Sequence, residues 1–331
     1  MSKKILITGG VGFIGLNLAS RLLNEGHIVH LVDNMSRAVS DIEFEEIIKN
    51  KNIEFSNINM LSKQELNILD NDFDFIFHLA AIIGVRHVLD RPYSVLYDNL
   101  LMLGNIIDFS YKQKKLTRLF FASTSEIYAG TLKHFNLTIP TPEDTPLGLT
   151  DLSHPRTSYM LSKIYGEALC QQSKLPFTIF RPHNIYGPRM GMSHVIPEQL
   201  YKSFKAKDGD FIEVFSPSHT RCFCYIDDAI EMLYRMMDSP ECTGKALNLG
   251  TQNPEVTMED IAKICFSTAG KNLKINFKPS SPGSPERRAP DMTYTKSLIN
   301  FESKVSLEIG ISNTFKWYKK NIFEGNNVSA T

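Results

Sequence analysis

Cysteine is scarce in this 331-residue chain, and the five present, at 170, 222, 224, 242 and 265, are odd in number and scattered. That excludes a disulfide scaffold and fits free thiols in a reducing compartment. Cys222-Phe223-Cys224 is too closely spaced for a zinc ribbon and has no second pair, so no metal is expected and both thiols are read as buried. An excess of charge of one sign is also missing, since 36 Lys plus Arg stand against 36 Asp plus Glu. Such a balance does not build the broad basic face of a nucleic-acid binder, and no nucleic-acid partner is expected. No apolar run approaches the ~18 residues that cross a bilayer. Lys3 and Lys4 lead straight into an apolar run with no hydrophobic leader before it. The expectation is a cytoplasmic protein with no membrane partner. Internal repeats and low-complexity tracts are absent too. What remains is ordinary globular composition, 42% apolar and 22% charged, in a chain long enough for one large or two ordinary domains.

The first informative stretch is Ile5-Leu6-Ile7 followed by glycines at 9, 12 and 15 and an amphipathic segment from Phe13 to Glu25. A branched apolar run suits a strand buried on both faces, and strand, glycine turn and helix place backbone N–H groups where a pyrophosphate can sit. Gly9 makes the tight turn, Gly12 lets the backbone approach phosphate oxygens, and Gly15 lets helix and strand pack closely. Ile28 to Asp33 reads as the second strand, and Asp33 lies 18 residues past Gly15. A carboxylate there accepts the ribose hydroxyls of NAD and repels a 2′-phosphate. Arg37 is placed to bind that phosphate instead, which leaves NADP open at this point.

Strands are expected at 53–58, 74–81, 117–123, 177–181 and 245–251. Helices are expected at 62–71, 93–115, 157–174 and 195–207. Strands that alternate with helices predict an α/β protein with a Rossmann-type, doubly wound parallel sheet, its ligands outside the carboxyl ends of the strands. After Arg181 the pattern loosens into Pro- and Gly-rich stretches, including a long loop at 279–290, and reads as a smaller lobe over the sheet edge.

Ser123-Thr124-Ser125-Glu126 leaves a central strand, and Tyr159 and Lys163 follow on one face of a helix. An ammonium beside the phenol favours phenolate; about 4 kcal/mol in that direction brings a tyrosine near neutral pH, where it serves as a general base. The Y-x-x-x-K spacing occurs three times, at Tyr111/Lys115, Tyr159/Lys163 and Tyr201/Lys205. Only Tyr159 follows the Thr-Ser-Glu strand end, and the other two pairs read as solvated helix surface.

Taken together, these motifs resemble the extended short-chain dehydrogenase/reductases of the nucleotide-sugar epimerase/dehydratase family over roughly residues 3–320. The matching pieces are Thr8-Gly9-Gly10-Val11-Gly12-Phe13-Ile14-Gly15, His78-Leu79-Ala80-Ala81, Tyr159 with Lys163, and Arg181-Pro182-His183-Asn184-Ile185-Tyr186-Gly187-Pro188-Arg189. Arg221 before Tyr225-Ile226-Asp227-Asp228, and Arg288 before Pro290-Asp291, match positions that hold a sugar-nucleotide diphosphate.

The resemblance implies NAD as cofactor, bound by Gly9, Gly12, Phe13, Ile14, Gly15, Asp33, Asn34, Arg37, Asn59, Met60, Leu79, Ala80, Ala81, Asn99, Tyr159 and Lys163. It implies a catalytic set of Thr124, Glu126, Tyr159 and Lys163, and a nucleotide-diphosphate sugar, a UDP-sugar favoured, held by Arg86, Asn184, Val195, Arg221 and Arg288; Arg86, with His87, reads equally as a solvated base at a helix start. Residues 1–181 with about 218–250 become the NAD-binding domain, 182–217 and 251–323 the α/β substrate-binding lobe, and 324–331 a frayed tail. A homodimer through the helices near 93–115 and 157–174 is expected. Glu126 leans the reaction toward a lyase acting through a 4-keto sugar, either a 4,6-dehydratase or a uronic-acid decarboxylase. A C4-epimerase is the alternative, and a non-catalytic NAD-binding protein is the remote one.

Overall fold

A computed structural model describes residues 1–38, 40–280 and 285–325. The apolar runs become β1 (Lys4–Thr8), β2 (Ile28–Asp33), β3 (Ile53–Asn57), β4 (Phe75–His78), β5 (Arg118–Ala122) and β6 (Phe177–Pro182). With the strand Lys245–Leu249 they form one seven-stranded sheet, ordered Lys245–Leu249, β6, β5, β4, β1, β2, β3. Every pairing is parallel. The order turns back on itself between β1 and β4, and that reversal opens a crevice at the carboxyl ends of the strands.

Why β1 is apolar without alternation is plain from its packing. Ile5 and Ile7 join a core with Leu16, Ala19, Phe77 and Met232, while Leu6 faces the other way onto Ile76, Leu103 and Ile106. Both faces of the sheet are covered, so both sets of side chains must be apolar. On the first face lie the helices Phe13–Asn24 and Ile226–Asp238, tied by Arg21 to Glu231 at 3.0 Å. On the second, Pro92–Tyr111 packs along Thr157–Gln172.

Some expected elements are shorter. The helix at 62–71 is only Lys63–Leu66, capped by the Ser62 hydroxyl accepting from the Glu65 N–H. The long helices stop at Tyr111 and Gln172. The helix Ile226–Asp238 was not expected, although Ile226, Ala229, Ile230, Leu233, Met236 and Met237 are its buried stripe at helical spacing.

The remaining strands form smaller sheets. Thr220–Cys222 pairs antiparallel with Glu255–Thr257 and parallel with Arg287–Arg288, and Phe211–Phe215 pairs with Lys274–Lys278. Thus the chain passes from this small sheet back to the central one within the stretch 218–250. All five cysteines are buried free thiols, burial being the expectation for Cys222 and Cys224. Part of the loop at 279–290 (281–284) and the expected tail beyond Gly325 lie outside the described residues.

Candidate active site

The glycine turn leaves β1 with Gly9 at φ 66°, and a Cβ there would lie 2.8 Å from the Ala80 nitrogen. Gly15 is just as constrained, since its Cβ would lie 2.5 Å from the Gly9 carbonyl oxygen. Gly12 is the N-cap of the helix Phe13–Asn24 and, having no side chain, gives that helix no capping hydrogen bond. The first N–H groups of the helix, at Phe13 and Ile14, are therefore left for an anion. Arg189 braces the turn from the lobe: Nη1 donates to the Val11 carbonyl at 3.3 Å and Nε to Asp41 Oδ2 at 2.6 Å.

Asp33, half-buried at the end of β2, accepts from the Met35 N–H at 3.0 Å and the Val11 N–H at 3.3 Å. Burial pushes its carboxyl up, while these N–H groups and the Arg37 guanidinium pull the other way. Asn34 and Arg37 are exposed beside it. Asn59 is exposed too, and its side-chain oxygen accepts from the Leu61 N–H at 3.1 Å. The side chain of Met60, three residues past the end of β3, is 3% exposed and belongs to the core, which leaves its backbone to meet a ligand.

Leu79, Ala80 and Ala81 are half-buried where β4 ends. The Ala80 N–H donates to the Thr8 hydroxyl at 3.3 Å, and that hydroxyl bonds His78 Nδ1 at 2.8 Å. Asn99 is buried, accepting from the Ile82 N–H at 2.7 Å and donating to the Ile82 carbonyl and to Ser162. Its amide is spent on holding the strand exit rather than facing the crevice.

Thr124, Tyr159 and Lys163 converge as the spacing predicted. The Thr124 hydroxyl lies close enough to the Tyr159 phenol to lower it, and Lys163, 4% exposed, lies 5.7 Å from the Tyr159 ring centre. Lys163 Nζ donates to the Ala122 carbonyl at 2.8 Å. The expected lowering of the phenol is not what the chain alone produces. Burial, then the Glu126 carboxylate, pushes Tyr159 up, and the Thr124 bond and Arg37 only oppose this. The same burial takes Lys163 down to about 8. The ammonium sits over the ring and on a carbonyl, so its field at the phenol oxygen does not outweigh desolvation.

Across the crevice, Arg221 and Arg288 stand in register on adjacent strands. Arg221 donates to the carbonyls of Thr220 and Pro285, each at 2.7 Å, and burial with its neighbour Arg288 lowers it to about 10. Arg288 Nη1 reaches Ser125 Oγ at 3.4 Å, while its Nε is buried with no hydrogen-bond partner among the described residues. Glu126 is electrostatically coupled both to Tyr159 and to Arg288. A cavity of about 250 Å³ beside Arg221 is lined by Val195, Gln199, Phe215, His219 and Met258. Val195 opens a helix, Val195–Lys205, whose N-cap makes no side-chain hydrogen bond.

Two expected substrate residues stand apart. Arg86 is 91% exposed on the helix Val85–Asp90 and pairs with Asp90 at 3.6 Å, so it is a solvated helix residue rather than part of the crevice. Asn184, at φ 43°, uses its amide on the Cys222 carbonyl at 2.9 Å, holding the small sheet beside the crevice. Sequence reasoning passed over Ser125 and Asp41, and it left Arg189 without a role. Ser125 lies inside the Thr-Ser-Glu run that was already singled out, whereas nothing local marks Asp41.

The glycine cradle, the uncapped helix start and Asp33 fit a dinucleotide. The model of the NAD-dependent epimerase/dehydratase family matches residues 5–250. The chain is 34% identical to a UDP-N-acetyl-alpha-D-glucosaminuronate decarboxylase of Bacillus cytotoxicus, over 97% of this chain and 99% of that protein. It is 30% identical to UDP-glucuronic acid decarboxylase 1 of Danio rerio, over 97% of this chain and 73% of that protein. In structure it superposes on UDP-glucuronic acid 4-epimerase from Bacillus cereus, solved with UDP-glucuronic acid and NAD, with a TM-score of 0.81 at 26% identity, over 96% of this chain and 99% of that one. A glycine turn that admits a pyrophosphate, a Tyr–Lys helix beside it and a sheet that superposes on an NAD-bound neighbour agree with the sequence match, and this chain belongs to the NAD-dependent epimerase/dehydratase family, enzymes that use NAD on nucleotide sugars.

Proposed function

We propose that this enzyme decarboxylates a UDP-uronic acid by way of a 4-keto sugar. The observation that carries the reading is the Thr124–Glu126 turn, set between the Tyr159 phenol and the Arg288 guanidinium with Ser125 Oγ 3.4 Å from Arg288 Nη1. A base for C4 and a cation for a carboxylate thus flank one turn. The relatives named above support the same substrate class, two of them being decarboxylases of UDP-uronic acids.

Tyr159 takes the proton of the sugar 4-hydroxyl, Thr124 orients that oxygen, and Lys163 holds positive charge behind the phenol. The chemistry supplied by bound NAD is reversible hydride acceptance at C4. The resulting 4-ketone lies β to the C5 carboxylate, so breaking the C5–C6 bond releases CO2 and leaves its electron pair delocalised onto the C4 oxygen. Protonation at C5 by water exchanges carboxylate for hydrogen, and Tyr159 gives its proton back to the C4 oxygen when the hydride taken from C4 is returned there. Arg288 serves both anions: with Ser125 it holds the carboxylate until it leaves, beside Arg221 its charge also draws the diphosphate, and Glu126 keeps that guanidinium in place. Arg221 and the N–H groups at Val195 neutralise the diphosphate, with the uridine in the adjoining cavity. In this reading residues 182–217 and 251–323 supply most of the sugar-nucleotide contacts, and the chain acts as a homodimer.

An epimerase would use the same Tyr159 and return the hydride to the other face of C4. Mass spectrometry separates the two after incubation with NAD and UDP-glucuronate or UDP-N-acetylglucosaminuronate. Loss of CO2 is expected, and an isomer of unchanged mass would overturn the decarboxylase assignment. Tyr159→Phe is expected to cut kcat by at least a hundredfold with NAD affinity within about twofold, since the general base contributes roughly 10²–10⁴.

A further inference from the structure

Beneath the crevice lies a buried amide that the proposed mechanism does not use. Asn248, 0% exposed on the strand Lys245–Leu249, spends all of its bonding groups. Nδ2 donates to the carbonyls of Thr141 and Asp291, both at 3.0 Å. Oδ1 accepts from the Tyr128 hydroxyl at 3.3 Å and from His183 Nε2 at 3.0 Å. Its backbone N–H donates to Glu143 Oε1 at 3.0 Å, and its carbonyl accepts from Thr295 Oγ1 at 2.9 Å.

The polarity of the hub is over-determined. Arg181 Nη1 donates to the Tyr128 oxygen at 2.7 Å, so the phenol proton is left to point at Asn248. Burial takes His183 down to about 3, so its ring is neutral, and because the carbonyls of Thr141 and Asp291 can only accept, the Asn248 oxygen is the atom that faces Nε2, which carries the proton. With two donors on one side, the amide must present its N–H groups to Thr141 and Asp291.

Those two carbonyls matter because Thr141 grips the chain next to Arg288. The Thr141 N–H donates to the Ala289 carbonyl at 2.8 Å, and the Asp291 N–H returns to the Thr141 carbonyl at 2.9 Å. Tyr128 closes the turn that holds Ser125 and Glu126, and His183 precedes Asn184. We propose that Asn248 is a positioning residue that sets the Arg288 arm against the Ser125–Glu126 turn, with Glu143 and Thr141 of the 131–150 stretch as its partners. This role rests on the nucleotide-sugar reading above, and it accounts for the 131–150 stretch, which bolts the anion-binding arm to the central sheet. Asn248 itself touches no reacting group, so its effect must pass through Arg288.

The test is calorimetric titration of the NAD-loaded full chain with UDP. Asn248→Asp keeps the volume and the accepting oxygen but removes the two N–H donors to Thr141 and Asp291. It is expected to weaken UDP at least tenfold while NAD affinity stays within twofold. With Arg288→Gln already present, the same change is expected to cost less than a further twofold, because the arm it aims no longer carries a charge. Glu143→Ala is expected to act like Asn248→Asp, and Glu143→Gln, which keeps the acceptor, to restore UDP binding. Equal losses with and without Arg288, parallel loss of NAD, or unaltered UDP affinity would each overturn the proposal. A wild-type enzyme that binds NAD but not UDP would overturn the nucleotide-sugar reading, and this proposal with it.

Discussion

Tyr159 and Lys163 are one helical turn apart, yet burial moves them in opposite senses. The phenol is pushed up and the ammonium down, because each is held toward its neutral form by the loss of water. For Lys163 the sign of the pH effect follows. Below pH 8 the group is protonated in both folded and unfolded chains and adds no slope. Between about 8 and its ordinary 10.5 the unfolded chain holds the proton and the folded chain releases it, so stability contributed by this site rises with pH. The full swing is at most about 3 kcal/mol. Thermal melts of NAD-free protein at pH 8 and pH 10, compared with those of Lys163→Met, are expected to show a wild-type gain that the variant lacks. A difference between the two proteins that is flat across that range would refute it. At this scale Thr124, Glu126, Tyr159 and Lys163 were legible because a strand end and an i, i+4 pair set their placement. The sequence left Arg86 open between a sugar contact and a solvated helix residue because a helix start next to a crevice does not say which way its side chains leave, and nothing local marks the burial of the Met60 side chain after β3.

The strands of the central sheet were legible as elements for a related reason. Burial on both faces demands unbroken apolar runs, and Ile5-Leu6-Ile7 or Phe75-Ile76-Phe77 have few other readings. The lobe gave no such signal, since Arg287–Arg288 or Ile185–Tyr186 is too short for a period to appear. The Ile42–Ile47 helix escaped notice as well, though it joins the lobe to the cofactor side. Asp41, its N-cap, accepts from the Phe44 N–H at 3.0 Å and from Arg189 Nε at 2.6 Å, and Glu43 accepts from Trp317 Nε1 at 2.6 Å. Arg189 also holds the Val11 carbonyl inside the glycine turn. Charge-assisted bonds of this kind are worth about 1.5–3 kcal/mol each. Arg189→Met is therefore expected to weaken NAD at least tenfold and to speed its release, with the fold kept. Trp317 is the single tryptophan, so its emission reports on this seam. A variant that keeps wild-type NAD affinity and wild-type Trp317 emission would mean the contact is only a surface ion pair.

At the scale of the molecule, the unusual surface is the outer side of the paired helices Pro92–Tyr111 and Thr157–Gln172. Tyr93 and Tyr97 are 76% and 53% exposed and stack one turn apart at 5.7 Å, and Tyr165 and Leu169 on the neighbouring helix are 56% and 40% exposed. Apolar side chains exposed at i, i+4 on two adjacent helices make this side an apolar face, which fits the proposed homodimer, where copies of the same face pack across a two-fold axis. The consequence reaches the chemistry. Thr157–Gln172 carries Tyr159 and Lys163, and Pro92–Tyr111 carries Asn99, which bonds Ser162 at 3.3 Å. A four-helix seam would thus brace the helix bearing the base, and separating the subunits should loosen it. Tyr97→Glu combined with Leu169→Glu places like charges in the middle of the patch, and light scattering is expected to show a monomer with kcat reduced at least tenfold. Both substitutions lie on the outer face, away from Tyr159 and from the glycine turn, so NAD affinity is expected to change much less than turnover. A wild-type protein that is already monomeric would remove the subunit contact, a charged variant that stays dimeric would place it elsewhere, and either would break the link between assembly and the catalytic helix.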